Sequence, residues 1–161
     1  ISYEDEADYV AGLLHNLGKL ILAITFPELF DKICQQTLKD NSHAIEIEKQ
    51  IIGWDHAKIG AYYLWNHHID DQVVEAVHYH NTPSEAKENK KLASAIQIGD
   101  ILTCQLGVLG IENYSPPKNS YRNVDGWKIL FEEKSDEEMN ILSDKLEHTL
   151  DRVSKTLHGI L

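Results

Sequence analysis

Apolar residues recur at spacings of three and four along most of the chain, which is the period of an amphipathic helix. The first such segment runs from about Glu4 to Phe26, and Gly18 predicts a bend or break within it. Its apolar stripe is expected to be buried. The stripe consists of Leu13, Leu14, Leu17, Leu20, Ile21 and Ile24.

Turn and capping residues divide the following residues into further helices. Pro27 opens the second helix, Gly53 ends the third, and Asp55 and Asp70 are placed as N-caps. The predicted helices cover residues 28–39, 43–52, 56–68, 72–80 and 92–106. On the third helix, Glu46 and Glu48 are expected to point outward. The connection 85–91 is charged and expected to be solvated.

The C-terminal third begins with a loop excursion over 107–126, followed by a short helical piece at 127–132. Ser135 and Glu138 then form a capping box that opens a long helix to about His158. Its continuous apolar stripe indicates packing on this domain in preference to a partner helix. The sequence therefore predicts one all-α domain over 1–161, with a C-terminal amphipathic helix over 135–160.

Composition narrows the class of protein. The chain has 161 residues, of which 42% are apolar and 25% charged, as in ordinary globular domains. No apolar run approaches the roughly 20 residues of a membrane span, so we expect a cytoplasmic protein with no membrane contact. The net charge of −11 opposes binding to nucleic acid. Cys34 and Cys104 are expected to be small buried residues in preference to a disulfide-bonded pair.

The candidate chemistry centres on the His15–Asn16 pair, at the edge or interior of the first helix. An unpaired buried polar group costs about 1–3 kcal/mol, so the pair is either satisfied within the core or bound to a ligand. Asp100 raises the same question, since it lies among apolar residues and is either salt-bridged or a metal ligand. His56 follows the Asp55 cap, either in a surface turn or where several helix ends converge.

The segment Ala-Gly-Leu-Leu-His-Asn-Leu-Gly-Lys at 11–19 resembles the signature helix of the HD phosphohydrolase superfamily, most closely its HDOD branch. Three later segments resemble further motifs of that family in the same order. They are Gly-Trp-Asp-His-Ala-Lys-Ile-Gly at 53–60, Val-His-Tyr-His-Asn-Thr-Pro at 77–83, and Ile-Gln-Ile-Gly-Asp at 96–100. The resemblance covers about 8–106 and implies an HD-domain-like helical bundle. Because the chain begins without Met, we expect a fragment that lacks the family's upstream helices.

The resemblance also implies a set of metal ligands. These are His15, His56, His80 and Asp100. The chain departs from the family pattern at two positions, since Asn16 replaces the signature Asp and Asn81 replaces the second His of a His-His pair. A neutral amide is a poor ligand for a divalent metal. We therefore expect no cofactor, or at most one divalent transition metal, and a residual pocket formed by Asn16, Lys19 and Asn81.

Two hypotheses of function follow from the resemblance. The first is a non-catalytic bacterial signal-transduction module that binds a protein partner, an upstream sensor domain or a small ligand, including a nucleotide-like one. The second is a metal-dependent phosphohydrolase, acting on a nucleotide or cyclic-dinucleotide phosphodiester, with a degenerate mononuclear site. The two Asn substitutions favour the first hypothesis. Both hypotheses are compatible with a homodimer.

Overall fold

The computed structural model describes residues 6–40, 43–105 and 121–158. Within these ranges the chain forms helices and no strand, which confirms the all-α prediction. The helices are α1 Ala7–Leu14, α2 Leu17–Thr25, α3 Pro27–Asp40, α4 Ala44–Ile52, α5 His56–Asn66, α6 Asp71–Tyr79, α7 Lys90–Gln105, α8 Asp125–Leu130 and α9 Asp136–His158. Two 3₁₀ turns lie at Pro83–Glu85 and Tyr121–Asn123.

The predicted first helix is two helices, and the break lies at His15 and Asn16 instead of Gly18. The His15 ring donates from Nδ1 to the carbonyl oxygen of Gly12 at 2.7 Å. In a continuous helix this oxygen would accept the backbone N–H of Asn16. The side chain therefore competes with the helical ladder at the point where the helix breaks.

The expected burial of the first apolar stripe is wrong for three of its residues. Leu13, Leu20 and Ile24 are 68%, 55% and 72% exposed. The buried side of α2 contains Gly18 and Leu22, because this side faces α5. Residues on the opposite side of the helix are consequently exposed to solvent.

Two glycines bring α2 and α5 into backbone contact. A Cβ atom on Gly18 would lie 2.9 Å from the Gly60 nitrogen and closer still to the His56 carbonyl oxygen. A Cβ on Gly60 would lie 3.1 Å from the Gly18 nitrogen. Gly60 and its neighbour Ala61 are both buried. The contact fixes the start of α5 against α2.

The predicted helix signals at both ends of α5 are confirmed in part. Gly53 ends α4 in the left-handed conformation, with a φ of 83°. The Asp55 side chain accepts the backbone N–H of Lys58 at 2.8 Å, and Asp70 caps α6 in the same way. However, α5 ends at Asn66 instead of His68, where φ is 56° and the helix cannot continue.

The connection before α7 is anchored, although the sequence indicated a solvated segment. The Glu75 carboxylate accepts the backbone N–H groups of Lys87, Glu88 and Asn89 at 2.6, 3.1 and 3.0 Å. It also accepts from the Asn89 side chain at 2.6 Å. Ala86 is buried in the middle of this segment. One side chain of α6 thereby sets where α7 begins.

Two hydrophobic clusters hold the helices together. The first joins α1, α5, α6 and α7 through Ala11, Ala61, Leu64, Val73, Ala76, Val77 and Ile96. The second joins α7, α8 and α9 around Ile98, Ile101, Leu102, Tyr121 and Trp127, with Met139, Leu146 and Leu150 from α9. The long helix therefore packs on its own domain, as expected. The predicted capping box is also present, since Ser135 and Glu138 exchange hydrogen bonds at 3.0 and 3.3 Å.

The remaining sequence predictions fall partly outside the described residues. These include most of the predicted loop 107–126. Helix α8 begins at Asp125, two residues before the predicted start. Cys34 and Cys104 are both free thiols. Among the described helices, none is long and apolar enough by itself to cross a membrane. The segments 7–25 and 27–40 meet the length and composition test only as a pair, and this pair is bent by 118°.

Replacing Gly18 with Ala is expected to lower the free energy of unfolding by about 1–3 kcal/mol, because the new Cβ would press on backbone atoms of α5. The matched control is Gly12→Ala, since nothing lies within 4 Å of a Cβ at this helical glycine. The control should stabilise the protein by about 0.5–1 kcal/mol. Urea denaturation of both variants measures the difference. Equal effects would contradict the backbone contact.

Acid should weaken the anchor at Glu75. Burial alone would raise the pKa of Glu75, but its hydrogen bonds to the α7 connection outweigh burial and lower this pKa below the ordinary 4.5. The stabilisation is therefore complete above pH 4.5 and is lost as the pH falls through the lowered value. The free energy of unfolding, measured by denaturation at several pH values between 7 and 3, should decrease less with falling pH in Glu75→Gln than in wild type. Glu85→Gln, an exposed control, should follow wild type.

Candidate functional site

The four predicted ligand residues come from four helices. His15 follows the last residue of α1, His56 is the first residue of α5, and His80 follows the last residue of α6. Asp100 lies within α7. The structure brings them together: His15 Nε2 is 3.3 Å from Asp100 Oδ1, and the His80 ring centroid is 5.2 Å from that of His15 and 5.5 Å from that of His56. Helix ends converge here.

Each of the three imidazoles has its Nδ1 atom held by an acceptor. His15 Nδ1 donates to the Gly12 carbonyl at 2.7 Å, and His80 Nδ1 donates to the Val77 carbonyl at 2.8 Å. His56 Nδ1 donates to the carboxylate of Glu48 at 2.8 Å. A carbonyl oxygen only accepts, so these bonds place a proton on Nδ1 of His15 and His80. In the neutral ring the lone pair is then on Nε2.

Two side-chain amides donate hydrogen bonds to two of these lone pairs. Asn16 Nδ2 donates to His15 Nε2 at 2.7 Å, and Asn81 Nδ2 donates to His80 Nε2 at 3.0 Å. These are the two positions where the chain departs from the family pattern. Each substituted residue thus bonds to the histidine immediately before it. The amide hydrogens lie where a metal bound to Nε2 would have to approach.

Asp100 completes this arrangement as an ionised carboxylate. Burial alone would raise its pKa, but the hydrogen bond with His15 and the charge of Lys19 outweigh burial and hold that pKa well below its usual range. Because His15 Nδ1 already carries a proton, a bond from Nε2 to Asp100 requires the imidazolium. In the neutral ring, the Asn16 amide lies between the two groups, 3.4 Å from Asp100 Oδ1.

Burial controls the two other ionisable groups. It lowers the pKa of His80 to about 3, helped by the nearby His56 and His15 rings, so His80 is neutral near pH 7. Burial also lowers the pKa of Lys19, which the carboxylates of Asp100 and Glu48 partly restore. The neutral state of His80 agrees with its acceptance of the Asn81 amide.

Glu48 is the functional-site residue that the sequence reasoning missed. It was expected to point outward, but it is fully buried. Its carboxylate accepts the backbone N–H of His56 at 2.8 Å and also the His56 ring nitrogen Nδ1. A carboxylate at the N-terminus of a helix is favourably placed against the helix dipole. Glu48 thus fixes both the start of α5 and the orientation of the His56 ring.

A signal for Glu48 was present in the sequence. The buried positions of α4 are 44, 47 and 48, and 51 is half-buried, which is the i, i+3, i+4, i+7 pattern of one helix face. Glu48 occupies this face between Ile47 and Ile51. Assigning the acidic residue to solvent by its charge alone gave the wrong orientation.

Two further histidines make ring contacts outside this cluster. His78 stacks on Tyr79, with ring centroids 4.4 Å apart, and His67 contacts Tyr63. Residues two apart face different sides of a helix, so only one of His78 and His80 can readily join the site, and the family resemblance selected His80. His80 is 1% exposed beside the other site rings.

Beside the site lies a small cleft with a volume of about 150 Å³, which we call the Asp100 cleft. It is lined by His43, Ile45, Asn81, Gln97, Asp100, Ile101 and Val124. Of the three residues predicted to form a residual pocket, Asn81 lines this cleft, while Asn16 contacts it through Asp100. Gln97 bridges two elements, donating to the Asn81 carbonyl and accepting the Gly126 N–H, both at 2.9 Å.

A divalent metal does not fit the residues as they are arranged. Three imidazoles and a carboxylate suit a transition metal chemically. Yet among the described residues, no group of three or more His, Cys, Asp or Glu side chains is placed to hold one. Two of the Nε2 atoms also accept amide hydrogens. Metal binding by His15, His56, His80 and Asp100 stays a prediction.

Comparison with known proteins gives a family and a distant relative. The HDOD domain family matches residues 1–83. A protein of Treponema pallidum (strain Nichols), described as "Uncharacterized protein", is 28% identical over 96 residues. The match covers 58% of this chain and 18% of the relative, so the chain spans about a fifth of the relative's length. No solved structure matches.

Glu48→Gln should lower the free energy of unfolding by about 1–3 kcal/mol, because an amide oxygen replaces a carboxylate that accepts two His56 donors. Glu46→Gln on the exposed side of α4 is the matched control and should change stability by less than about 0.5 kcal/mol. Chemical denaturation at pH 7 compares them. Similar losses in both variants would rule out a special role for Glu48.

Proposed function

The chain belongs to the HDOD domain family, which matches about half of it, and on that premise we propose that it is a non-catalytic signalling module that acts by binding. The observation that carries the proposal is the pair of amide bonds from Asn16 and Asn81 to the neighbouring histidines. Residues that would hold a metal in a hydrolase are here bonded to one another. The module would work in bacterial signal transduction, in the cytoplasm.

The chemistry of asparagine supports this proposal. A carboxylate bridges metals and accepts protons, whereas an amide is neutral and does neither at physiological pH. Asn16 also leaves its Oδ1 buried and without a hydrogen bond among the described residues. The site therefore lacks a base at the position where the family signature has Asp.

The surface of α5 supports a role in contact with a protein partner or another domain. Trp54, Tyr62 and Trp65 form a row of adjoining rings, with centroids 5.8 and 6.1 Å apart. Tyr62 and Trp65 are 55% and 58% exposed. Exposed aromatic rings of this kind are enriched where proteins bind one another. The net charge of −11 disfavours nucleic acid as the partner.

One observation favours the alternative, a metal-dependent phosphohydrolase with a mononuclear site. The Nδ1 atoms of all three imidazoles are held by oxygen acceptors, which is the arrangement that orients metal-binding histidines. A metal that displaced the two amides would meet the Nε2 atoms of His15 and His80. The alternative therefore requires Asn16 and Asn81 to give up their bonds to His15 and His80.

Elemental analysis and a hydrolysis assay separate the two functions. Purified wild type should carry no stoichiometric transition metal, and with added Mn²⁺ it should hydrolyse bis(p-nitrophenyl) phosphate no faster than a folded His15→Ala/His80→Ala variant. Asn16→Asp restores a carboxylate and frees His15 Nε2, so it should bind Mn²⁺ on the order of tenfold more tightly than wild type. Asn66→Asp is the control, since it adds the same charge on the exposed end of α5.

Stoichiometric metal in the wild type, lost in the double variant together with hydrolysis, would overturn the proposal and establish the phosphohydrolase. Equal Mn²⁺ affinity in Asn16→Asp and Asn66→Asp would show that the amide bond to His15 is not what excludes the metal.

A further inference from the structure

We propose that the Asp100 cleft binds a small primary alkylammonium ion, with its charged end at Asp100 and its aliphatic end against Ile45, Ile101 and Val124. This inference rests on the proposed binding function and names the ligand class of the same site. It assigns the cleft a cation, whereas a phosphohydrolase site would receive a phosphate anion.

The size of the cleft determines how much of a ligand it can enclose. Its volume is about 150 Å³. An apolar cavity of roughly this volume holds benzene, and pockets for drug-sized ligands have about 300–1,000 Å³. The cleft therefore encloses a group of about five or six non-hydrogen atoms.

The polar wall of the cleft includes the Asp100 carboxylate. Asn81 Nδ2 and Gln97 Nε2 each donate one hydrogen within the protein, to His80 Nε2 and to the Asn81 carbonyl, and Gln97 Oε1 accepts the Gly126 N–H. The Asp100 contacts with His15 and Asn16 both go to Oδ1, at 3.3 and 3.4 Å. Oδ2 of Asp100 accepts no hydrogen bond from the described residues, so an acceptor remains for a ligand that donates. An ammonium group has three donors and no acceptor.

The charges around the cleft favour a cation. Asp100 is the one carboxylate among the residues that line the cleft, and none of those residues is a lysine or an arginine. The whole chain adds its charge of −11 to this local field. An anion would be repelled at short and long range.

The apolar wall selects a ligand with an aliphatic body. Ile45, Ile101 and Val124 come from α4, α7 and the residue before α8, and none carries a side-chain polar atom. Each methylene removed from water strengthens binding by roughly three- to fourfold. A chain of three or four carbons should therefore bind more tightly than methylammonium.

Titration of the ¹⁵N-labelled chain, followed by ¹H–¹⁵N correlation spectra, tests the inference. The probes are n-butylammonium, n-butanol and inorganic phosphate. Butylammonium should shift the amide signals around Asn81, Gln97 and Asp100 and saturate in the millimolar range. Butanol should bind at least tenfold more weakly, because it lacks the charge. Phosphate should leave these signals unchanged.

Variants locate the binding. Asp100→Asn keeps the side-chain shape and should weaken butylammonium at least tenfold, while Asp71→Asn removes one exposed carboxylate from α6 and should change nothing. Val124→Phe fills the apolar wall and should abolish binding without altering the charge, which keeps the test valid if Asp100→Asn fails to fold. Nα-acetyllysine methylamide distinguishes the source: tighter binding than butylammonium identifies a partner's lysine, and weaker binding identifies a free amine.

Equal binding of butanol, binding of phosphate in place of butylammonium, or no binding of butylammonium would each overturn the inference. None of these results depends on metal content or hydrolysis. Failure of the ligand class is therefore distinguishable from failure of the non-catalytic function.

Discussion

The Glu48 carboxylate, buried beside the N-terminus of α5, is the constraint on which the rest of the site depends. It accepts hydrogen bonds from the first backbone N–H of that helix and from Nδ1 of the His56 ring. Because a buried carboxylate without donors is strongly unfavourable, α4 and α5 must keep this relative position. The same residue, His56, presents its carbonyl to Gly18 of α2. Three helices and one site ring are thus located by one side chain.

Local signals in the sequence predicted most of the helices. Pro27, Gly53, Asp55 and the Ser135 capping box each act on a neighbouring residue, so their effect is readable without the fold. The position of the break between α1 and α2 and the exposure of Leu20 were not predicted. The exposure of Leu20 depends on which helix packs on α2, and this contact joins residues about forty positions apart. Propensity and periodicity carry no information about such a partner.

The candidate site shows the same division. The sequence singled out the histidines, Asp100 and the two Asn residues, because they stand in segments that resemble motifs of the family. It could not show that each amide bonds to the preceding histidine, since that depends on the conformation at the end of a helix. This geometry turns a missing ligand into an internal hydrogen bond.

The backbone contact between Gly18 and Gly60 has a consequence for how this domain evolves. In most of a core, a larger residue at one position is tolerated when a neighbouring side chain becomes smaller. Here the opposing atoms belong to the main chain, so no substitution at a neighbour makes room. A larger residue at either position therefore requires α2 and α5 to move apart, and this movement would also displace His56. The spacing of two helices and the arrangement of the site are therefore inherited together.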